Sequence, residues 1–325
     1  MPPSEGFVTT EDGARLFFQS RGHGPHAVVI PNGLYLWDDF EPLAKGRLLI
    51  VYDLRNRGRS DRVTECSIRR GGILDDVLDL EEVRRHFGFA QISLIGHSYV
   101  GLLVVLYAMK YALHVGRAVQ VGPIQPFSGT QYPVHLTGAD ATFQDVFSRL
   151  AELQKQRDSF DPEAFCRKFW SVLRLIYVTD PADADRIDWG RCELPNERNA
   201  MKYWTKTVFP SIQSLNLSAD DFARVETPVL ILHGTKDRST PYGGGREWAL
   251  RLANARLVTL ENAGHAPWIE APERTFASIE TFLQGWWPEG AEKVESLDCH
   301  ARRGPAGAAA LKVAPGEAAG RRWGV

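Results

Sequence analysis

The sequence predicts an α/β fold: a mostly parallel central sheet with helices on both faces and an inserted helical cap. Three observations carry this expectation. Short runs rich in Val, Ile and Leu alternate with helix-length amphipathic segments at both ends of the chain, the pattern of strands joined by crossover helices. Several of these runs are almost continuously apolar, as strands buried on both faces require. Between the two ends, over residues 123–225, the alternation stops and a helical pattern dense in large aromatics replaces it.

The elements follow in order. Residues 15–20 read as a strand after the turn at Asp12-Gly13, and residues 26–30 and 47–52 as buried strands. Residues 73–87 form an amphipathic helix, with Val77, Leu80, Val83 and Phe87 on one side and Asp76, Asp79, Glu82 and Arg85 elsewhere. A strand at 92–96, a helix at 99–111 and a strand at 118–121 complete the first half. After the aromatic block (Trp170, Tyr177, Trp189, Tyr203, Trp204, Phe209) come a strand at 229–233, a helix around 247–252, a strand at 256–260 and a helix at 272–283. The chain therefore divides into a core at 1–122, a helical cap at 123–225, the rest of the core at 226–288 and a tail at 289–325. The last stretch, 301–325, is rich in Ala and Gly and short of core-forming residues, which suits a flexible tail.

Composition narrows the function. A chain of 325 residues with 44% hydrophobic and 24% charged residues can bury a sizeable core. A formal net charge of −2 gives no reason to expect nucleic acid or an anionic membrane as partner. The longest apolar stretch, residues 100–109, is about half a membrane span, and the N-terminus lacks the basic start and apolar run of a signal peptide. The four cysteines, Cys66, Cys166, Cys192 and Cys299, lie far apart without a C-x-x-C pair. They read as reduced thiols of a cytoplasmic protein rather than a metal knuckle or disulfide framework. The histidines make no ligand-spaced pair on a helix face, so neither a metal nor another cofactor is expected.

The chemistry is concentrated at three turns. The strand ending at Ile95 runs directly into Gly96-His97-Ser98-Tyr99-Val100-Gly101, and a helix follows at once. Such a strand-to-helix turn lifts the serine hydroxyl out of the sheet, and the glycine keeps the turn free of a side chain. In a chain with 29 glycines a G-x-S match alone is weak; its place between strand and helix is what raises it. A serine needs a base to take its proton, and the base needs an orienting group. Downstream, one strand ends in His233-Gly234-Thr235-Lys236-Asp237 and the next leads to Ala263-Gly264-His265. Both side chains would emerge at the same sheet edge as Ser98. Ser98 is thus the candidate nucleophile, His265 its general base and Asp237 the group that orients His265. The competing reading, a capping aspartate and an ordinary surface histidine, requires three coincidences at one sheet edge. For the oxyanion hole one donor is the N–H of Tyr99. The other comes from the loop Pro31-Asn32-Gly33-Leu34 and is assigned to Leu34, with Gly33 and Tyr35 as alternatives. His97 reads as packing beside the turn.

These motifs resemble the α/β-hydrolase superfamily, in particular the branch of proline iminopeptidases and small esterases. The resemblance spans residues 7–283 apart from the cap. Asp53-Leu54-Arg55-Asn56-Arg57-Gly58-Arg59-Ser60 is similar to the family's D-x-R-G-x-G-x-S turn, and Gly264-His265 with Glu270 and Pro272 is similar to its histidine loop. Three positions depart from the pattern: Asn32 stands where the family has the His of an HG pair, Asn56 replaces a glycine, and Val100 replaces a small residue. The resemblance implies an α/β-hydrolase fold and a serine hydrolase.

The expected function is a carboxylic-ester hydrolase acting through an acyl-enzyme on a small-molecule ester or lactone. The Pro31-Asn32-Gly33 loop, the Ser98-Tyr99 turn and the aromatic cap also resemble serine esterases that open macrolide lactones, which implies antibiotic inactivation. The alternatives are a proline iminopeptidase-like aminopeptidase, whose cap acids would come from Glu152, Glu163, Glu193 and Glu197, and a non-catalytic binding protein on the same fold. The peptidase reading lacks the H-G-G-P-G loop and the tryptophan after the serine, and the binding reading is weakened by the intact triad. Dehalogenases and epoxide hydrolases need an aspartate where Ser98 stands.

Overall fold

The computed structural model describes residues 4–62, 69, 71–187, 191–194 and 196–297. Eight strands form one sheet in the order β1-β2-β4-β3-β5-β6-β7-β8: β1 Ser4–Thr9, β2 Arg15–Gly22, β3 Ala27–Pro31, β4 Leu48–Tyr52, β5 Ile92–His97, β6 Val115–Val121, β7 Val229–Gly234 and β8 Ala255–Leu260. β1, β2 and β4 pair antiparallel and the remaining pairs are parallel. Every residue of β3 and β7 is buried, which is why their sequences read as unbroken apolar runs. Alternate residues feed opposite faces. Val29, Ile50 and Leu94 pack with the helices α1 (Ile73–Phe87) and α2 (Tyr99–Lys110), whereas Val28, Leu49 and Ile95 pack with the helix Pro272–Leu283 through Ile279 and Phe282.

α1 begins and ends where its pattern places it. Asp75 and Asp76 occupy its first turn, Arg84, Arg85 and His86 its last, and Gly88 closes it in the left-handed conformation at φ 71°; each charge opposes the end of the helix dipole it sits on. Two elements were hidden from the sequence. β1 is an edge strand with a single buried residue, Val8, so it carries no periodic signal. The helix Tyr242–Arg251 starts before its apolar pattern does, because its first turns hold Gly243, Gly244 and Gly245, which are poor helix formers.

The segment between β6 and β7 holds no strand among the described residues. Its main helices are α3 (Ala141–Lys155) and α4 (Pro162–Leu173), whose N-termini are capped by the Asp140 and Asp161 carboxylates. Val146, Leu150, Leu173 and Ile176 form a small core of their own there.

Two expectations are corrected. Cys166 on α4 and Cys192 are joined in a disulfide, with Cα atoms 5.8 Å apart; they are not free thiols. A separation of 26 residues gives no local signature, and tertiary packing alone brings the pair within disulfide reach. The bridge removes the argument that reduced thiols made for a cytoplasmic location; Cys66 and Cys299 lie outside the described residues. Second, the tail does not begin at 289. Glu292 pairs with Leu257 on β8, Val294 is buried, and Arg246 reaches the Glu292 carboxylate at 2.7 Å and the Leu297 carbonyl at 3.0 Å. The proposed flexible part, 301–325, lies outside the described residues. No helix among the described residues is long and apolar enough to cross a membrane.

Closing a loop of this length restricts the unfolded chain by about 3 kcal/mol in the chain-entropy picture. The loop carries Trp170, Leu173, Ile176 and Tyr177, all lining the cavity described below. Dithiothreitol is therefore expected to lower the melting temperature by several degrees. Thermal unfolding of treated and untreated protein, measured side by side, checks this.

Candidate active site

β3 and β5 are neighbours although β4 lies on the other side of β3, so strand order reverses between them. Ligands of open α/β sheets bind in the crevice at such a point, beyond the C-terminal strand ends. The loop after β3 and the turn after β5 both open there.

The turn after β5 is tight. Ser98 has φ 59° and ψ −130°, a strained conformation for a residue with a side chain. Its N–H donates to the Val121 carbonyl at 3.0 Å, tying the turn to β6. A Cβ on Gly96 would collide with the Val100 carbonyl, which passes directly over it. Val100, where a smaller residue was the expectation, is accommodated with its side chain buried in the core.

Asp237 and His265 are brought together by the ends of β7 and β8. His265 Nδ1–H donates to Asp237 Oδ2 at 2.7 Å, and both side chains are fully buried. The other carboxylate oxygen, Oδ1, accepts the N–H groups of Ser239 and Thr240, each at 2.8 Å. Burial pushes the Asp237 carboxyl up, but His265, His233 and their hydrogen bonds outweigh it and hold Asp237 well below the usual carboxylate range. With its Nδ1 proton given to Asp237, His265 presents a lone pair at Nε2. That nitrogen is buried and has no hydrogen-bond partner among the described residues, so the contact with Ser98 is open in this structure. Catalytic hydrogen bonds frequently close only around substrate.

The His265 ring is clamped from both sides. Tyr177 from the cap stacks on it at 4.9 Å and 25°, and His97 lies against it at 4.4 Å. His97 is more than packing: its Nε2–H donates to the His265 carbonyl at 2.9 Å, so its Nδ1 is left to accept from Tyr35 Oη at 2.7 Å. Burial, followed by the charge of His265, pushes His97 well below the usual imidazole range, so it stays a neutral strut. Glu270 fixes the same loop, accepting from Gly264 N–H at 2.6 Å and from Thr179 N–H at 2.6 Å.

Tyr99 is the first residue of α2, and Leu34 is the first residue of a short 3-10 turn, Leu34–Leu36. At such positions the N–H has no acceptor within its own helix. The departure at Asn32 has a counterpart in the structure. Asn32 takes φ 52° and its Nδ2 donates to Tyr99 Oη at 3.3 Å, linking the loop after β3 to the residue after Ser98. Asn56 likewise adopts the left-handed region at φ 66° that the glycine it replaces would favour.

Above these groups lies a cavity of about 430 Å³, lined by Ser98, Tyr99 and Asn32 from the core and by residues of α3, α4 and the cap turns. Phe143, Phe147, Phe169, Trp170 and Trp204 make one aromatic wall. Trp204 opens a stretch of π-helix, Trp204–Val208, and its ring lies 5.0 Å from that of Tyr99; such π turns recur at functional sites. Arg57, Arg191 and Glu197 add polar groups to the lining. Arg57 is already paired with Asp76 at 2.8 and 2.9 Å. Of the four cap acids, Glu197 alone lines the cavity. Trp170, Tyr177, Tyr203 and Trp204 of the aromatic block also line it, Phe209 is partly exposed away from it, and Trp189 lies outside the described residues. Sequence reasoning named Tyr177 as a cap aromatic but missed its stacking on His265, and it missed Glu270 as a strut and His233 beside Asp237; only the last leaves a trace, the His-x-x-x-Asp spacing.

A family model described as the alpha/beta hydrolase fold matches residues 27–272. The chain belongs to this family. Among curated relatives, this α/β hydrolase is 26% identical over 278 residues to a bifunctional esterase/perhydrolase of Acinetobacter calcoaceticus, covering 80% of this chain and 92% of the relative. It is 24% identical over 253 residues to a proline iminopeptidase of Pestalotiopsis fici, covering 75% and 84%. Among solved structures, an esterase from Exiguobacterium antarcticum superposes with a TM-score of 0.64 at 17% identity, covering 86% of this chain and all of the other. That last likeness is one of fold.

Proposed function

We propose that this α/β hydrolase is a serine-dependent carboxylic-ester hydrolase that works through an acyl-enzyme on a bulky, largely apolar ester. The observation that carries the reading is the buried His265–Asp237 pair, with its Nε2 lone pair left unpartnered beneath a cavity that Ser98 lines. In the reaction Ser98 Oγ attacks the ester carbonyl carbon as His265 Nε2 takes its proton. The N–H groups of Tyr99 and Leu34 receive the developing oxyanion. The leaving alkoxide takes the proton from His265, and water activated by the same nitrogen then releases the acid. No cofactor enters these steps.

The cavity volume supports a ligand of drug size, and its aromatic wall favours an apolar acyl or ring portion. A macrolide lactone is the proposed natural class: the arc of ring carrying the ester sits against the aromatic wall while the sugars project through the opening. One observation favours a second reading. Glu197 faces the cavity and is the cap acid placed to meet a free amino terminus, so an aminopeptidase acting on N-terminal proline is the alternative.

A screen spanning p-nitrophenyl esters, macrolides of different ring size and N-terminal proline amides separates them. The proposal expects a 16-membered macrolide to yield a product heavier by one water. Cleavage of proline amides with every macrolide intact would establish the peptidase reading instead. Turnover of short nitrophenyl esters alone would leave the ester chemistry standing and remove the macrolide.

A further inference from the structure

A second imidazole meets the same oxygen of Asp237. His233 is the last residue but one of β7, four residues before Asp237, and is fully buried. Its Nε2 lies 3.1 Å from the Thr240 carbonyl and 3.2 Å from Asp237 Oδ2, the atom that also accepts from His265. A carbonyl only accepts, so the proton sits on Nε2 and the N–H is shared between the two oxygens. The other ring nitrogen, Nδ1, is buried without a partner among the described residues.

The surroundings are shaped to admit this ring. A Cβ on Gly245, in the first turns of the helix Tyr242–Arg251, would collide with His233 Nδ1, and the Tyr242 ring of the same helix meets the imidazole edge-on at 5.8 Å. A leucine would fill the space without stranding a polar nitrogen. What the imidazole provides, and leucine would not, is a donor to Thr240 O and Asp237 Oδ2. That donor has a definite use. The Thr240 hydroxyl carries one proton and faces two acceptors, Asp237 Oδ2 at 2.8 Å and the Gly122 carbonyl at 3.1 Å. When it turns to Gly122, His233 is the group besides His265 that still holds Oδ2.

We propose that His233 is a positioning residue of the active site: its Nε2–H locks the Asp237 carboxylate in the plane from which Oδ2 orients His265. The inference rests on the reading of Ser98, His265 and Asp237 as a working triad. His233 touches neither substrate nor the reacting serine, so its effect passes through Asp237.

The test compares His233→Leu, which fills the space without a donor, with His233→Gln, whose amide nitrogen reaches a similar place. With p-nitrophenyl butyrate, His233→Leu is expected to lower kcat by about 10- to 100-fold, since small misplacements of catalytic groups have effects of this size, with KM within about twofold of the parent. His233→Gln is expected to recover most of the loss. The proton shared by His265 Nδ1 and Asp237, a far-downfield signal in the proton NMR spectrum, should be lost or shifted in the Leu variant and return in the Gln variant. Two results overturn the proposal: unchanged kcat and an unchanged downfield proton in His233→Leu, or equal impairment of both variants in step with lowered melting temperature. Ser98→Ala assayed alongside keeps the two readings apart. Turnover that survives Ser98→Ala would refute the triad itself, whereas the downfield proton would still decide whether His233 holds Asp237.

Discussion

Ser98→Ala is expected to lower kcat by about 10⁴- to 10⁶-fold while leaving the melting temperature and the circular dichroism spectrum close to the parent. The methyl side chain fits the same strained turn, because φ 59° is imposed by the bonds to β6 and by the start of α2 rather than by the hydroxyl. Asp237→Asn should be almost as damaging. An amide can donate where the carboxylate accepts, so His265 would be held with its proton on the wrong nitrogen. The decisive result is the combination. If Ser98, His265 and Asp237 act as one unit, Ser98→Ala with His265→Ala should be no worse than Ser98→Ala alone. A double variant much slower than either parent would show that the two residues work independently, and failure of a phosphonate probe to label Ser98 would remove the nucleophile.

The second large effect is on stability and lies away from the cavity. Arg55 is 1% exposed and is held by two carboxylates: Asp12 at 2.8 and 3.0 Å, Asp79 at 2.7 and 2.9 Å. Arg55→Met keeps most of the volume and leaves Asp12 without its cation, while Asp79 retains Arg69 at 2.8 Å. Breaking one side of a buried ion pair costs about 3–5 kcal/mol, a fall in melting temperature of roughly 10 °C for a chain of this size. Burial pushes Asp12 up, but its hydrogen bonds to Arg55 and Thr10 outweigh that and hold it well below the usual carboxylate range. Its ionised form therefore stabilises the parent above the ordinary carboxylate pKa of about 4, and this contribution fades as acid protonates it. In the variant the same carboxyl protonates at higher pH and sheds its penalty. The gap in stability between the two proteins should be widest near neutrality and narrow below about pH 4. A gap that stays constant with pH would mean that lost packing, not the unpaired carboxylate, sets the effect.

The candidate site could be read from the sequence because its residues sit at strand ends. Strands buried on both faces announce themselves by composition, and once β5, β7 and β8 are placed, Ser98, Asp237 and His265 must emerge at one edge of the sheet. α1 was legible to the residue, since its charges and its closing glycine sit where the helix dipole and the left-handed cap want them. What escaped depends on contacts between distant segments. The Cys166–Cys192 bridge, Tyr177 against His265 and Glu270 between two loops all join stretches with no mutual spacing rule. β1 escaped for the opposite reason: an exposed edge strand has little hydrophobic pattern to read.

His265 is suspended partly from the cap. Ala266 N–H donates to the Tyr177 carbonyl at 3.0 Å, Tyr177 covers the His265 ring, and Glu270 clasps Thr179. A cap that swung away as a rigid lid would carry Tyr177 and Thr179 with it and let the imidazole tumble out of line with Asp237. Such an enzyme would be disarmed whenever it gaped. An aligned His265 thus goes with a seated cap, and the stretch from Tyr177 to Thr179 is as much scaffold of the site as the strand ends are.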